Sequence, residues 1–430
     1  MKKIKVEFHG AGREVGRSCI ELTFPGKERI LLDAGLKPMN NEPNLYPTKI
    51  KKPRKIGLAF ASHAHLDHIG AWPWLCNQGL GCPIVCTDLT RQMAEVSLYD
   101  AWSIEKGEKE EKGEDYYSRG WVARALNLMK DSWEGSYGDV HYRLILNPHI
   151  PGSVCVYFEY KGRSILYTGD IRGDTSRLMT QICSFPEADI LIIDSTYGGR
   201  QHSLGREELE SNFKKKVADI IGRGGSVILP GFAIERIPEI MLILAEMDSP
   251  VPIYFDGRMA LEIADILINS GSFDQLRQTE KKVIRVKNGF HRRMVKNSQA
   301  IFISTSGMIN GGPVNAYIRA FWWDDRSSLI ITGYQAEGTK GKKLLDTGVI
   351  EIERSDGKRE GEKEVRFGVE KFDFSAHADM PAIESIIRQV SPKVVIAQHG
   401  DNFGVDAVAE YARSQGMRGE APGIGETVLL

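Results

Sequence analysis

The sequence predicts an α/β fold, and three observations predict it. Short runs rich in apolar and β-branched residues recur along the 430 residues, each closing on a polar or glycine-rich turn. Many of these runs are continuously apolar, as in strands buried on both faces. Segments with helical spacing separate many of them.

In chain order, strands are expected at Ile4–Phe8, Arg29–Leu32, Ile56–Ser62, Ser164–Thr168, Ile190–Asp194, Ser226–Pro230, Pro252–Phe255, Val283–Val286, Ala300–Ser304, Ser328–Thr332 and Val394–Gln398. Glu207–Arg223 and Ile237–Met247 carry helical patterns. The charge-dense stretch Ile104–Arg119 reads as a solvated helical arm. Glu353–Glu364, which holds Gly357 and Gly361, reads as an exposed hairpin tip or a connection between domains. The length suits two domains with separate cores.

Hydrophobic residues make up 42% and charged residues 26%, which excludes a disordered or fibrous chain. A net charge of −1 excludes a protein that coats nucleic acid over its whole surface and confines any such site to local clusters. No apolar run reaches the roughly 18 residues of a membrane-spanning helix. The opening MKKIKVEFHG alternates like a strand and lacks the apolar core of a signal peptide, so a cytoplasmic protein is expected. The six cysteines form no CxxC pair and read as reduced, mostly buried thiols.

The chemistry concentrates in His63-Ala64-His65-Leu66-Asp67-His68, directly after an apolar strand and before a helix expected over Ile69 to Leu75. Alternate residues at a strand end project to one side, so His63 and His65 can converge on one ion. Asp67 and His68 lie past the turn and can serve another. Imidazole with carboxylate suits zinc and tolerates manganese. Further ligands are expected where other strands open into loops, at His149, Asp170 and His399. Together they make a seven-ligand set in which one carboxylate is free to bridge.

These residues resemble the metallo-β-lactamase superfamily, which implies a four-layered αββα sandwich with a dinuclear metal site at its edge. Three more motifs resemble its β-CASP branch: Asp194-Ser195-Thr196-Tyr197-Gly198, Phe374-Ser375-Ala376-His377-Ala378-Asp379 and Gln398-His399-Gly400. Family-like strings also lie between the first two, at Pro230–Arg236, Ser304–Met308 and Gly333–Thr339. Glu235 stands where the family usually shows glycine. The resemblance implies an α/β domain of the β-CASP type over 199–358, inserted between a first part (1–198) and a second part (359–430) of the metallo-β-lactamase domain. It looks like the short archaeal or prokaryotic forms, similar to ribonuclease J or the cleavage-and-polyadenylation nuclease.

The resemblance further implies roles. One metal takes His63, His65, His149 and Asp170, and the other takes Asp67, His68, Asp170 and His399. Two zinc ions per chain are expected, with manganese as the substitute. Asp67, Asp194 and His377 form the catalytic set, with His377 as general acid oriented by Asp194. The activity implied is hydrolysis of RNA phosphodiester bonds, as a 5′→3′ exonuclease or an endonuclease. DNA-acting relatives typically carry an aliphatic residue at the position of His399, so RNA is favoured. A DNA nuclease and a catalytically silent RNA-binding scaffold are the alternatives.

The inserted domain is expected to leave a narrow channel for single-stranded RNA. Residues 281–296 hold seven Lys or Arg and no acid, which marks Lys281, Arg285, Arg292 and Arg293 as phosphate contacts. The loops Ser304–Gly312 and Gly333–Gly341 can form anion-binding nests, with Ser304 and Ser306 on a substrate phosphate such as a 5′-terminal monophosphate. A second basic run spans Lys49 to Lys55. The apolar end Thr427–Leu430 is expected to pack against a second subunit, giving a homodimer, alone or within an RNA-processing or decay complex.

Overall fold

Two seven-stranded sheets share one core in the first of the two units into which the chain divides. That unit comprises Met1–Thr175, Met179–Gln201 and Ala376–Leu430, and the second comprises Ser176–Leu178 and His202–Ser375. The computed structural model describes residues 3–37, 45–47, 50–109, 117–181, 183–353 and 359–430.

The first sheet runs in spatial order β1 (Lys5–Phe8), β2 (Ile20–Thr23), β3 (Arg29–Leu32), β4 (Leu58–Phe60), β5 (Ile84–Cys86) and β6 (Met129–Asp131), with Thr427–Leu429 on the outer side of β1. The second runs β7 (Glu134–Tyr137), β8 (Val140–Leu146), β9 (Val154–Tyr160), β10 (Arg163–Tyr167) and β11 (Ile190–Asp194), then Val394–Gln398 and Arg418–Glu420. From β10 onward the pairing of this second sheet is parallel, so these strands open into loops on one side.

The alternation along β9 shows how the layers form. Val154, Val156 and Phe158 point into a core shared with Phe8, Leu32 and Phe60 of the first sheet. Cys155 and Tyr157 point the other way, into a core with Ile383 and Val408 from the helices Met380–Val390 and Asn402–Ser414. Phe60 meets Phe158 edge to face across the sandwich at 5.2 Å, a pairing that contributes about 1 kcal/mol beyond burial. On the outer side of the first sheet, the helices Asp88–Lys109 and Arg119–Leu128 pack on each other and on β6. The first covers part of the expected charged arm, whose centre lies outside the described residues.

The second unit holds a parallel sheet of β12 (Val227–Pro230), β13 (Ile253–Asp256), β14 (Ile284–Arg285), β15 (Ile301–Ser304) and β16 (Ser328–Ile331), in spatial order β14-β13-β15-β12-β16, with Gly368–Lys371 outside β16. This last pairing carries the unit to Ser375, beyond the boundary expected at residue 358. Val349–Glu353 and Arg359–Glu364 pair antiparallel, as a hairpin whose tip lies outside the described residues. The unit also captures Ser176–Leu178: the buried carboxylate of Glu239 accepts the backbone N–H groups of Arg177 (2.9 Å) and Leu178 (2.7 Å) and pairs with Arg206.

The C-terminal end is engaged largely within its own chain. Thr427–Leu429 pairs antiparallel with β1, and Val428 and Leu430 are buried in the chain's own core. Leu429, between them, is exposed. Among the described residues, no helix is long and apolar enough to cross a membrane.

Candidate metal centre

Sheet-like hydrogen bonds continue past β4, from Ala61 N–H to Val85 and from Val154 N–H to the Ser62 carbonyl. The chain then turns at His63. His65 stands just before a short helical turn, Leu66–Ile69, so Asp67 and His68 lie inside a helix. The single helix expected over Ile69 to Leu75 is thus two, the second being Trp72–Asn77. The break comes because Ala71 N–H donates to Ala34 at 2.8 Å. Gly35 lets these segments meet, since a Cβ there would lie 1.6 Å from the Asp67 carbonyl oxygen.

His63, His65, His149 and Asp170 form one group that could hold a metal ion. His63 Nε2 lies 3.2 Å from His65 Nδ1, and His149 Nε2 lies 3.4 Å from the same nitrogen. Asp170 Oδ2 is 3.6 Å from His63 Nε2 and 3.7 Å from His149 Nε2. Tetrahedral N and O ligands held at zinc-type bond lengths lie about 3.4 Å from one another. Four atoms from three chain segments at that spacing fit one ion.

Asp67, His68, Asp170 and His399 form a second group. His68 Nε2 and His399 Nδ1 each lie 3.2 Å from Asp170 Oδ1, and His399 Nε2 lies 3.4 Å from Asp67 Oδ2. His68 Nε2 and Asp170 Oδ1 are buried, and among the described residues neither makes a well-directed hydrogen bond. Two ligands aimed at a third atom have this geometry, and Asp170 is common to both groups.

Other side chains hold the ligands in place. Asp33, fully buried, takes the His68 Nδ1 proton at 2.7 Å, the Tyr167 hydroxyl at 2.6 Å and the Ser62 hydroxyl at 2.8 Å. That fixes the His68 ring and turns Nε2 toward the site. His149 Nδ1 donates to the Ala376 carbonyl at 2.8 Å, which frees its Nε2 in the same way. Asn147 accepts from His149 N–H and donates to the carbonyls of Thr168 and Asp170, tying two ligand loops together. His399 takes the left-handed backbone region at φ 53, uncommon outside glycine. Its N–H donates to Ala11 at 2.9 Å, its carbonyl accepts from the Thr196 hydroxyl, and Gly16 N–H reaches its Nε2 at 2.9 Å. The sequence reading missed Asp33, Asn147 and the loop around Gly16.

Electrostatics follow the same division. Burial, reinforced by His68, drives the His63 pKa well down, and burial does the same to His149 and, less far, to His65. Neutral imidazole is the form that binds metal. Burial disfavours charge on Asp170 and Asp67, yet His399 and His68 outweigh it and hold both well inside the ionised range.

His377 and Asp194 form a third group of this kind with Asp170 and His399. His377 Nδ1 lies 2.8 Å from Asp194 Oδ2. Asp194 also accepts from Ile171 N–H, Thr196 N–H and the Thr196 hydroxyl, so its lone pairs are committed. Burial pulls the His377 pKa down, but the charge and hydrogen bond of Asp194 prevail and raise it to about 9. A protonated imidazole held at Nδ1 by a carboxylate has the chemistry of a proton donor.

The expected RNA contacts belong to the second unit and fare unevenly. Ser304 is buried, with its hydroxyl on the Thr305 carbonyl, and Ser306 donates to the Gly311 carbonyl. Arg292 forks onto Asp256 at 2.5 and 2.9 Å. Arg285 pairs with Asp265 at 2.7 Å and with Glu280. Ser304, Arg285 and Arg292 are therefore structural in the first place. Lys281 and Arg293 are exposed.

Comparison with known proteins matches residues 12–224 to the metallo-beta-lactamase superfamily, 238–344 to the Beta-Casp domain, and 362–422 to the Zn-dependent metallo-hydrolase RNA specificity domain. The chain is a β-CASP member of the metallo-β-lactamase superfamily. The inserted-domain sandwich expected from its motifs is the fold observed, and the family binds divalent metal. A probable RNase, MJ4, from Methanocaldococcus jannaschii is 33% identical over 99% of this chain and 100% of its own. RNase aCSPSF2 from Saccharolobus solfataricus is 29% identical over 98% of this chain and 84% of its own. The transcription termination factor FttA of Methanococcus maripaludis is 31% identical, with 93% of this β-CASP chain and 67% of the factor matched. A crystal structure of a protein of unknown function from Enterococcus faecalis shares the fold, at 14% identity and a TM-score of 0.59 over both whole chains.

Proposed function

We propose that this β-CASP protein is a cytoplasmic ribonuclease that hydrolyses single-stranded RNA with two zinc ions. The contact between Asp194 and His377 at 2.8 Å, beside the two ligand groups, carries the reading. A departing ribose oxygen is strongly basic, and its release calls for an acid held in place. A lactonase or thioesterase on the same fold would account for the ligands but not for this pair. The RNA specificity domain and the RNase-named relatives support RNA as the substrate.

His63, His65, His149 and Asp170 would hold one ion, and Asp67, His68, Asp170 and His399 the other. When bound, such ions polarise the phosphate and supply a water acidic enough to attack it near neutral pH. The protein does the rest. Asp194 fixes His377 Nδ1 and keeps the ring charged, and His377 Nε2 gives its proton to the leaving 3′-oxygen. The products then carry 5′-phosphate and 3′-hydroxyl ends. Backbone N–H groups of the loop around Ser306 are proposed to receive a substrate phosphate.

The test uses one RNA labelled separately at its two ends, with monophosphate, triphosphate or hydroxyl at the 5′ end, and a DNA of the same sequence. Mononucleotides released from the 5′ label, with monophosphate preferred, mean exonuclease action. Discrete internal fragments indifferent to the 5′ end mean endonuclease action. Absence of metal-dependent RNA cleavage overturns the proposal.

A further inference from the structure

The helix Gly289–Val295 presents two faces of opposite character. Its inner face is bolted down: Arg292 forks onto the buried Asp256, which also takes the Tyr317 hydroxyl at 2.7 Å, and Val295 is buried. Its first turn is capped by Asn288, whose side chain accepts from His291 N–H at 3.0 Å. The outer face therefore has a fixed orientation.

That outer face is apolar and cationic. Phe290 is 64% exposed and Met294 is 68% exposed, four residues apart on one side of the helix. The Arg293 guanidinium lies 5.8 Å from the Phe290 ring centre. Lys287 and Lys281 are also exposed, and residues 281–296 contain no acid. A single exposed phenylalanine needs no explanation. A rigid aromatic beside an arginine and a methionine, within an acid-free segment, has the composition of a stacking platform for nucleobases.

We infer that Phe290, Met294 and Arg293 form a docking platform for single-stranded RNA on the second unit, with one base on the Phe290 ring and the adjoining phosphate on Arg293. The platform rests on the ribonuclease reading for its choice of RNA. Charge complementarity selects a polyanion. The exposed ring selects unpaired bases, because a duplex keeps its base faces stacked internally. Arg285 and Arg292 take no part, since their charges are already matched by Asp265, Glu280 and Asp256.

The experiment measures fluorescence anisotropy of a labelled 20-nucleotide oligouridylate on the full chain held in chelator, so that the RNA is not consumed. It also measures kcat and KM on the same RNA, and the rate on bis(p-nitrophenyl) phosphate, with metal restored. Phe290→Ala and Arg293→Ala should each weaken binding about tenfold, and Phe290→Trp should retain it. Arg293→Ala should also lower the slope of log affinity against log salt by about 0.7. KM for RNA should rise while kcat and the small-ester rate stay unchanged. Unaltered RNA affinity in both alanine variants overturns the proposal. So does unaltered affinity accompanied by a loss of self-association in sedimentation, which would assign this face to a second copy of the chain. If the wild type fails to cleave RNA yet binding still depends on Phe290, the ribonuclease reading fails and the platform stands.

Discussion

Asp33 holds the His68 ring from behind: its carboxylate takes the Nδ1 proton at 2.7 Å while Nε2 faces Asp170 at 3.2 Å. A carboxylate in this position fixes the tautomer and makes the ligating nitrogen more basic. Asp33→Asn keeps the shape and loses the charge. Its affinity for the second ion should fall about 10- to 100-fold. Metal titration with a competing chelator reads this directly. Equal affinity in the variant and the wild type would remove Asp33 from the centre.

The loop from Gly10 to Ser18 meets the second ligand group at several points. Ala11 and Gly16 hold His399, and Ser18 N–H donates to the Asp67 carbonyl at 2.7 Å. Arg13 pins this loop to the helix Asn402–Ser414 through Asp406 at 2.7 and 3.1 Å, and to the Ala421 carbonyl at 2.9 Å. Arg13→Ala should therefore weaken metal binding at the group containing Asp67 and His399 and spare the three-histidine group. At limiting zinc the bound metal should drop from two toward one per chain, as measured by elemental analysis after gel filtration. Equal loss at both positions would mean a general destabilisation instead.

His377 acts in the proposed mechanism only while protonated, and its pKa stands at about 9 because Asp194 outweighs burial. The sign follows. Activity is sustained below that pKa and falls as pH rises through it. Bound cations offset the contributions of Asp170 and Asp67, so the alkaline limb should lie somewhat below 9. Asp194→Asn should move the limb to lower pH by about one unit or more. His377→Ala should lower kcat about 10²- to 10⁴-fold at neutral pH while metal content stays at the wild-type level. A pH–rate profile unchanged by Asp194→Asn would separate the pair from the chemistry.

The run from His63 to His68 is legible in the sequence because four donors crowd into six positions after an apolar strand. Asp33 is not, because an aspartate at a strand end is ordinarily a turn residue and its partner Tyr167 lies 134 positions away. Asp194 and His377 are separated by 183 positions, and only their motifs link them. Among strands, Val154–Tyr160 carries a continuous apolar run and could have been found from it. Ile20–Thr23, Ile84–Cys86 and Met129–Asp131 are three or four residues long and exist through their neighbours in the sheet. The basic segment shows the reverse error. A count of cations over 281–296 cannot reveal that Asp256 and Asp265, outside the segment, already match two of them.

Glu21 should make the first unit sensitive to acid. It is almost fully buried on β2, where it meets His9 at 3.3 Å, Arg29 at 2.7 and 2.8 Å and the Thr23 hydroxyl at 3.0 Å. Burial alone would raise its pKa, but the hydrogen bonds and charges of His9 and Arg29 bring it down to about 2. A depressed carboxylate pKa contributes stability that is present above the unfolded value, near 4.3, and lost as pH falls toward the folded one. The contribution is on the order of 3 kcal/mol. Glu21→Gln should be less stable than the wild type at pH 7, and the gap should narrow between about pH 5 and pH 2. Urea unfolding followed by tryptophan fluorescence across that range measures it. A gap independent of pH would show that Glu21 contributes through packing and hydrogen bonds alone.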